Sequence, residues 1–223
     1  MIKSILREAI IDFIFQDSSL MDHIFLGRPI YSRTELIIRC LILSLLTLIL
    51  WNIFRSVNAF GIIGIIFLGH FINWLFNGHG YQIIYDALRI KYSANKAIKY
   101  VLKLKRESER KNFHVMIYGS WSRGKASKTS DLDIYIVNVQ GNLLNGLRMG
   151  FTSLKYRLIA FFTPLSVDIY VIDRIDYLSW RSKVKPDERP IILNDPTGII
   201  RSIYGRERRL EEFLRDVLSI YER

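Results

Sequence analysis

The sequence predicts an α/β chain in two parts: an N-terminal pair of apolar helices, then a small mixed β-sheet with helices packed around it. Three observations predict it. Residues 36–54 and 59–76 are almost wholly apolar and are joined by only Arg55 to Asn58. Further on, short runs of strand character alternate with stretches of helical period, the pattern of a mixed domain. Charge is split along the chain: of 32 Lys/Arg and 21 Asp/Glu, residues 1–78 hold six and five, leaving 26 and 16 for the remainder.

A chain of 223 residues holds one ordinary domain, or a small domain with an appendage. Half its residues are hydrophobic and 13% are aromatic, which excludes a disordered chain. The net charge of +11 fits an anionic partner such as a nucleotide, nucleic acid or an anionic membrane face. Cys40 is the only cysteine, so no intrachain disulfide and no Cys-based zinc site can form; inside its apolar run it reads as a small buried hydrophobe. Four histidines give no metal cluster.

Residues 1–30 open on an amphipathic helix. Ile2, Ile5, Leu6, Ala9, Ile10, Phe13 and Ile14 recur at helical spacing, with Lys3, Arg7, Glu8 and Asp12 between them. This helix either lies in a membrane interface or packs on the globular part, since both bury the same stripe. Charges interrupt it and no small-residue cleavage site follows, so it is not a secretory signal.

Residues 31–80 are expected to form a transmembrane helical hairpin. No Asp, Glu, Lys or Arg occurs from Ser56 to Tyr85, and both apolar segments approach the length of a hydrocarbon core. Gly61, Gly64 and Gly69 are expected to let the helices approach closely. Trp51 and Trp74 stand near segment ends, as interfacial aromatics do. The rival is a buried helical pair in a soluble core, for which so short a chain has little covering material. Arg28, Arg33 and Arg39 flank the first segment, and Arg89, Lys91, Lys96 and Lys99 follow the second. The positive-inside tendency therefore places the N-terminus and everything after residue 80 in the cytoplasm. His70, Asn73, Asn77 and His79 cluster late in the second segment, either bonding between helices and ending the span, or meeting a headgroup or substrate.

Residues 81–223 read as the mixed domain. A basic helix is expected over 94–110, strands over 114–118 and 132–137, a helix over 142–162, a third strand over 166–172, a fourth over 190–193, and a terminal helix over 206–222. Asn194 and Asp195, ahead of Pro196, are read as turn residues.

The stretch Tyr118 to Val137, YGSWSRGKASKTSDLDIYIV, carries the chemistry. A strand runs into Gly119-Ser120, a basic loop follows, and the next strand opens on Asp131-Leu132-Asp133. Residues two apart on a strand share a face, so the two carboxylates project together. Beside a loop of free backbone N–H groups they suit a divalent metal with polyphosphate, and oxygen ligands suit Mg²⁺ or Mn²⁺. Asp168, inside the strand-like Ser166–Tyr170, is a third carboxylate; three can hold two ions. Asp173 is its rival but sits at the strand's end. The bland reading of Asp131 and Asp133 is a solvated turn and strand edge.

Gly119-Ser120, ten intervening residues, then Asp131-Leu132-Asp133 resembles the signature of the DNA polymerase β nucleotidyltransferase superfamily. With Arg123-Gly124 in the loop and Ser130 before the Asp pair, it looks most like the minimal nucleotidyltransferases. The resemblance covers about residues 95–200 and leaves the apolar segments outside. It implies a small mixed-sheet nucleotidyltransferase domain. Gly119 would let the backbone approach a triphosphate and Ser120 would bond a phosphate oxygen. Asp131, Asp133 and Asp168 would ligate two Mg²⁺ or Mn²⁺ ions, and Asp168 would take the acceptor's proton. Arg123, Lys125 and Lys128 would contact phosphates, or form a solvated basic loop. The implied reaction transfers a nucleoside monophosphate from a nucleoside triphosphate, ATP among the candidates, to an acceptor and releases pyrophosphate.

The acceptor is not written in the sequence. Membrane anchoring favours a lipid-linked molecule or a protein, through effective concentration, and the chain itself is among the candidate acceptors. A nucleic-acid-directed enzyme fits the charge but has no recognition module. A non-catalytic nucleotide sensor is the other class, against which three intact Asp residues argue. A homo-oligomer is compatible with everything read here.

Overall fold

The computed structural model describes residues 32–55, 58–77, 93–128 and 130–221. The amphipathic helix expected over residues 1–30, and His79, lie outside them. The chain divides into two compact units, Met1–Ile83 and Ile84–Arg223.

In the first unit, Ser32 starts helix α1 (Arg33–Phe54) by accepting the Glu35 N–H on its hydroxyl at 3.2 Å. Glu35 and Arg39, one turn apart, pair at 2.6 Å, and both are buried. Asn58 caps α2 (Ala59–Asn77) by accepting the Gly61 N–H at 2.7 Å. Helix α1 is long and apolar enough to cross a membrane: 22 residues rise about 33 Å, against about 30 Å of hydrocarbon. The apolar stretch of α2 is shorter, Phe60–Leu75. Leu41, Leu45, Leu48 and Ile53 on α1, and Phe60, Ile63, Phe67 and Phe71 on α2, are exposed.

The helices touch at Gly69, where a Cβ would come within 3.0 Å of Thr47 Oγ1. Gly64 was expected to share that role and does not, because nothing lies within 4 Å of its Cβ position. Ile65, Gly69 and Asn73 are the buried positions of α2, and residue 64 falls off that four-residue stripe. Cys40, expected to be buried, is exposed.

The second unit is mixed α/β: α3 (Ala94–Lys111), β1 (His114–Tyr118), β2 (Leu132–Val137), α4 (Leu143–Phe162), β3 (Val167–Ile172), α5 (Ile175–Val184), β4 (Ile191–Asn194), α6 (Ile199–Tyr204) and α7 (Leu210–Tyr221). Its sheet has the order β3-β2-β1-β4. Strand β1 runs antiparallel to β2 and β4, while β2 and β3 are parallel, joined through α4.

The sheet has two unlike faces. On one, Val115, Ile117, Ile134, Ile136, Ile169 and Val171 pack against Val101 and Leu104 of α3, Tyr156 and Ala160 of α4, and Phe213 and Val217 of α7. This is the core. The other face carries Tyr118, Tyr135 and Tyr170 in alternation with the core residues, together with Asp133 and Asp168. Helix α5 covers part of it: Tyr177 meets Tyr135 hydroxyl to hydroxyl at 3.0 Å.

Asp195 does more than turn the chain. Buried, it bonds His114 Nδ1 at 2.8 Å and accepts the Arg201 N–H at 3.0 Å, tying the start of β1 to α6. Asn194 donates to the Phe113 carbonyl at 2.9 Å. Helices α5 and α6 are elements the sequence did not announce.

Candidate active site

Strand register assembles the carboxylates. Tyr118 of β1 pairs with Asp133 of β2, and Asp133 with Asp168 of β3, so the two aspartates stand side by side on one face. Asp131, two residues before Asp133, turns to the same side and accepts a hydrogen bond from the Ser166 hydroxyl. Asp168 is buried, and Asp131 and Asp133 are partly so.

This crowding is electrostatically adverse. Burial, then the neighbouring Asp168 and Asp131 carboxylates, push the Asp133 carboxyl up to about 8, with the Arg181 guanidinium pulling the other way. Asp173, the rival third carboxylate, lies beyond β3 and bonds Asn138 at 3.2 Å instead.

Gly119 closes over this cluster with a φ of 73°. A Cβ there would fall 2.0 Å from Asp133 Oδ2. Glycine is therefore required for two reasons, the left-handed backbone and the carboxylate beneath it. The loop that follows is internally bonded: Ser122 Oγ donates to the Gly119 carbonyl at 2.8 Å, and the Lys125 N–H to the Ser120 carbonyl at 3.0 Å. Trp121 anchors it, buried edge-on against Phe213 with ring centres 5.2 Å apart. Arg208 donates to the Trp121 carbonyl at 2.8 Å, holding the loop against the start of α7.

Arg123 is placed differently from a free phosphate contact. Its Nη1 donates to Glu188 Oε1 at 2.9 Å. Glu188 is buried and also receives Arg181, whose Nε and Nη2 reach its two oxygens at 2.9 and 2.8 Å. Arg181 lies in turn over the Tyr118 ring, 4.6 Å from its centre. Arg123, Glu188, Arg181 and Tyr118 thus form a continuous chain from the loop to the strand beside Asp133. Lys125 and Lys128 are exposed. Lys125 lines a cleft of about 470 Å³ together with Arg123, Arg189, Arg206 and Arg208; Lys128 does not.

The structure therefore brings Gly119, Asp131, Asp133 and Asp168 together, sets Ser120 at the loop's start and Arg123 one ion pair away, and leaves Lys128 apart. Arg181, Glu188 and the tyrosines were missed by sequence reasoning. Arg181 and Glu188 lie some fifty residues past the Asp pair, in a segment whose many charges hide the buried pair; only the odd alternation of Tyr with Asp along β2 and β3 hinted at a special face.

Among the described residues, no group of three or more His, Cys, Asp or Glu side chains is arranged to hold a metal ion as it stands. The donor chemistry nevertheless fits a hard divalent cation: carboxylate oxygens only, with Asp133 carrying a repulsion that a cation would relieve. Comparison with protein-family models, with curated proteins and with solved structures finds no match to this chain.

Proposed function

We propose that residues 94–221 form a metal-dependent nucleotidyltransferase of the polymerase β type, attached to a membrane by α1 and α2. The observation that carries this reading is the in-register pairing of Asp133 with Asp168, with Asp131 alongside and side-chain-free Gly119 above. Asp131, Asp133 and Asp168 would hold Mg²⁺ or Mn²⁺, which when bound supplies charge neutralisation at the phosphates and acidifies an acceptor hydroxyl.

The chain's own residues have the remaining roles. Gly119 and Ser120 offer a backbone and a hydroxyl to the triphosphate. Asp168 takes the acceptor's proton. The acceptor oxygen forms a bond to the α-phosphorus, the bond from that phosphorus to the α–β bridging oxygen breaks, and pyrophosphate leaves with both electrons. Glu188 fixes Arg181 as stationary positive charge beside the carboxylates and holds Arg123 at the loop, rather than leaving either as a mobile phosphate clamp.

The membrane reading is supported by the length of α1 and by the exposed leucines and phenylalanines of both helices. We infer a two-pass hairpin with both flanks cytoplasmic, from the basic residues on either side. The shorter apolar stretch of α2 then requires local bilayer thinning or tilt of its neighbour.

The test is transfer of label from nucleoside triphosphates labelled at the α-phosphate, using the purified full chain with Mg²⁺ or Mn²⁺ and native lipid. Label in lipid, protein or RNA from the intact chain, and none from Asp131→Ala/Asp133→Ala, supports the reading and names the acceptor class. Metal-dependent nucleotide binding without any transfer would replace it with a sensor.

A further inference from the structure

We propose that the basic cleft beside the loop is a second anion site that receives a phosphomonoester group of the acceptor; this rests on the transferase reading above. Its position separates it from the carboxylates. Strand β4 pairs with β1 so that Ile191 lies opposite Ile117, which sets Arg189 and Pro190 at the same sheet end as Tyr118 and Gly119. The carboxylates lie on the β2–β3 side of β1 and the cleft on its β4 side. Asp131, Asp133 and Asp168 do not line it, and the loop from Ser122 to Lys125 is its shared wall.

The cleft's charges fall into two groups. Arg123 and Arg208 are committed, the first to Glu188 at 2.9 Å, the second to Asp216 at 2.6 Å and Glu212 at 3.3 Å. Glu207 is likewise taken by Arg201 at 3.0 Å, and the exposed Asp187, which also lines the cleft, lies 3.9 Å from Arg123 Nε. Lys125, Arg189 and Arg206 are exposed, and their side chains have no ion pair or hydrogen bond among the described residues. Three uncommitted cations therefore converge on a space of about 470 Å³, within the usual range for a small-molecule group. Two of them are guanidinium forks, which match the oxygens of a phosphate.

The number of free cations selects the ligand. A carboxylate brings one negative charge, whereas a phosphomonoester brings close to two at neutral pH and three acceptor oxygens. In the proposed reaction the nucleotide belongs over Gly119 and Asp133. The cleft is then left for the other reactant, held one strand away with the loop between them. Such a group occurs on soluble phosphorylated metabolites and on phosphatidate-type lipid headgroups, and the chemistry recognised is the same.

Calorimetric titration of the detergent-purified full chain, without divalent metal or nucleotide, tests this with two probes: glycerol 3-phosphate and short-chain phosphatidic acid. Binding of either probe is expected, unchanged in Asp133→Asn and weakened at least about tenfold in Arg189→Ala/Arg206→Ala. Glycerol 3-phosphate binding as well as the lipid assigns a soluble source, and the lipid alone assigns a headgroup. Three results overturn the proposal: no binding of either probe, equal binding by the double Arg variant, or displacement of the probe by inorganic pyrophosphate at equal concentration, which would make the cleft part of the nucleotide site. Because the titration reads binding without metal or nucleotide, failure of the transferase reading would appear separately, as absent label transfer with the anion still bound.

Discussion

At Gly119 and Asp133, one residue's missing side chain is the other's room. Replacing Gly119 by Ala puts a methyl group where Asp133 Oδ2 now sits and strains a backbone at φ 73°, which costs about 1 kcal/mol from the backbone alone. Gly119→Ala should therefore lower Tm by several degrees and abolish label transfer, and a fully active variant would show that the carboxylate does not need this position. The ionisation of Asp133 adds a pH signature. Its carboxyl is raised to about 8 from an ordinary 3.8, so between those values the folded chain holds a proton that the unfolded chain has lost. Stability without metal should thus fall as pH rises through that window. Asp133→Asn should raise Tm at pH 8 and leave it nearly unchanged near pH 4; thermal melts at the two pH values decide it. The Asp pair was legible because strand alternation fixes which residues share a face. Glu188 was not, because burial is a tertiary property and nothing in Lys-Pro-Asp-Glu-Arg marks one acid as internal.

Among the elements, α3 is pinned to α4 by Glu107. Its carboxylate receives Lys111, Lys155 and the Tyr156 hydroxyl. Burial opposes its ionisation, but those three bonds outweigh it and bring it down to about 2. A lowered carboxyl contributes stability that is fully present above its unfolded value of 4.5 and is lost as pH falls toward 2. Glu107→Gln should cost roughly 1–3 kcal/mol at neutral pH, and the gap from the parent should close in acid melts below pH 3. A constant gap across pH would assign its role to packing instead. Strands β1 to β3 and helices α3 and α4 stand where their periodicity put them, since each pairs a clear apolar pattern with a turn or cap. Helix α5 escaped notice because Ile175–Val184 mixes Tyr, Trp and Arg on the side that covers the tyrosine face, so no apolar stripe marks it. Helix α6 is six residues between Gly198 and Gly205, too short to show a period. The terminal helix starts at Leu210 rather than 206: Arg206 to Arg208 line the cleft, and the Arg209 carbonyl accepts the N–H groups of Glu212 and Phe213 that open the helix.

For the molecule as a whole, composition announced two parts of different character. The first exposes leucines and phenylalanines over most of α1 and α2, and the second buries its apolar residues around one sheet. Extraction of membranes carrying the full chain with alkaline carbonate should leave the protein in the pellet, as expected of a spanning helix. Release into the supernatant would reduce the apolar helices to a peripheral or protein-covered role. The proposed acceptor is encoded by neither periodicity nor motif spacing; the exposed cations of the cleft are the nearest the fold comes to naming it.

If Asp131, Asp133 and Asp168 make one cation site, Mn²⁺ titration calorimetry on the full chain near pH 7, in two buffers of different ionisation enthalpy, will read it. Mn²⁺ should bind with a heat that depends on the buffer, because Asp133 gives up its proton as the ion enters, and Asp133→Asn should lose that binding. Binding that survives Asp133→Asn, or no binding by the parent chain with nucleotide present, would contradict it.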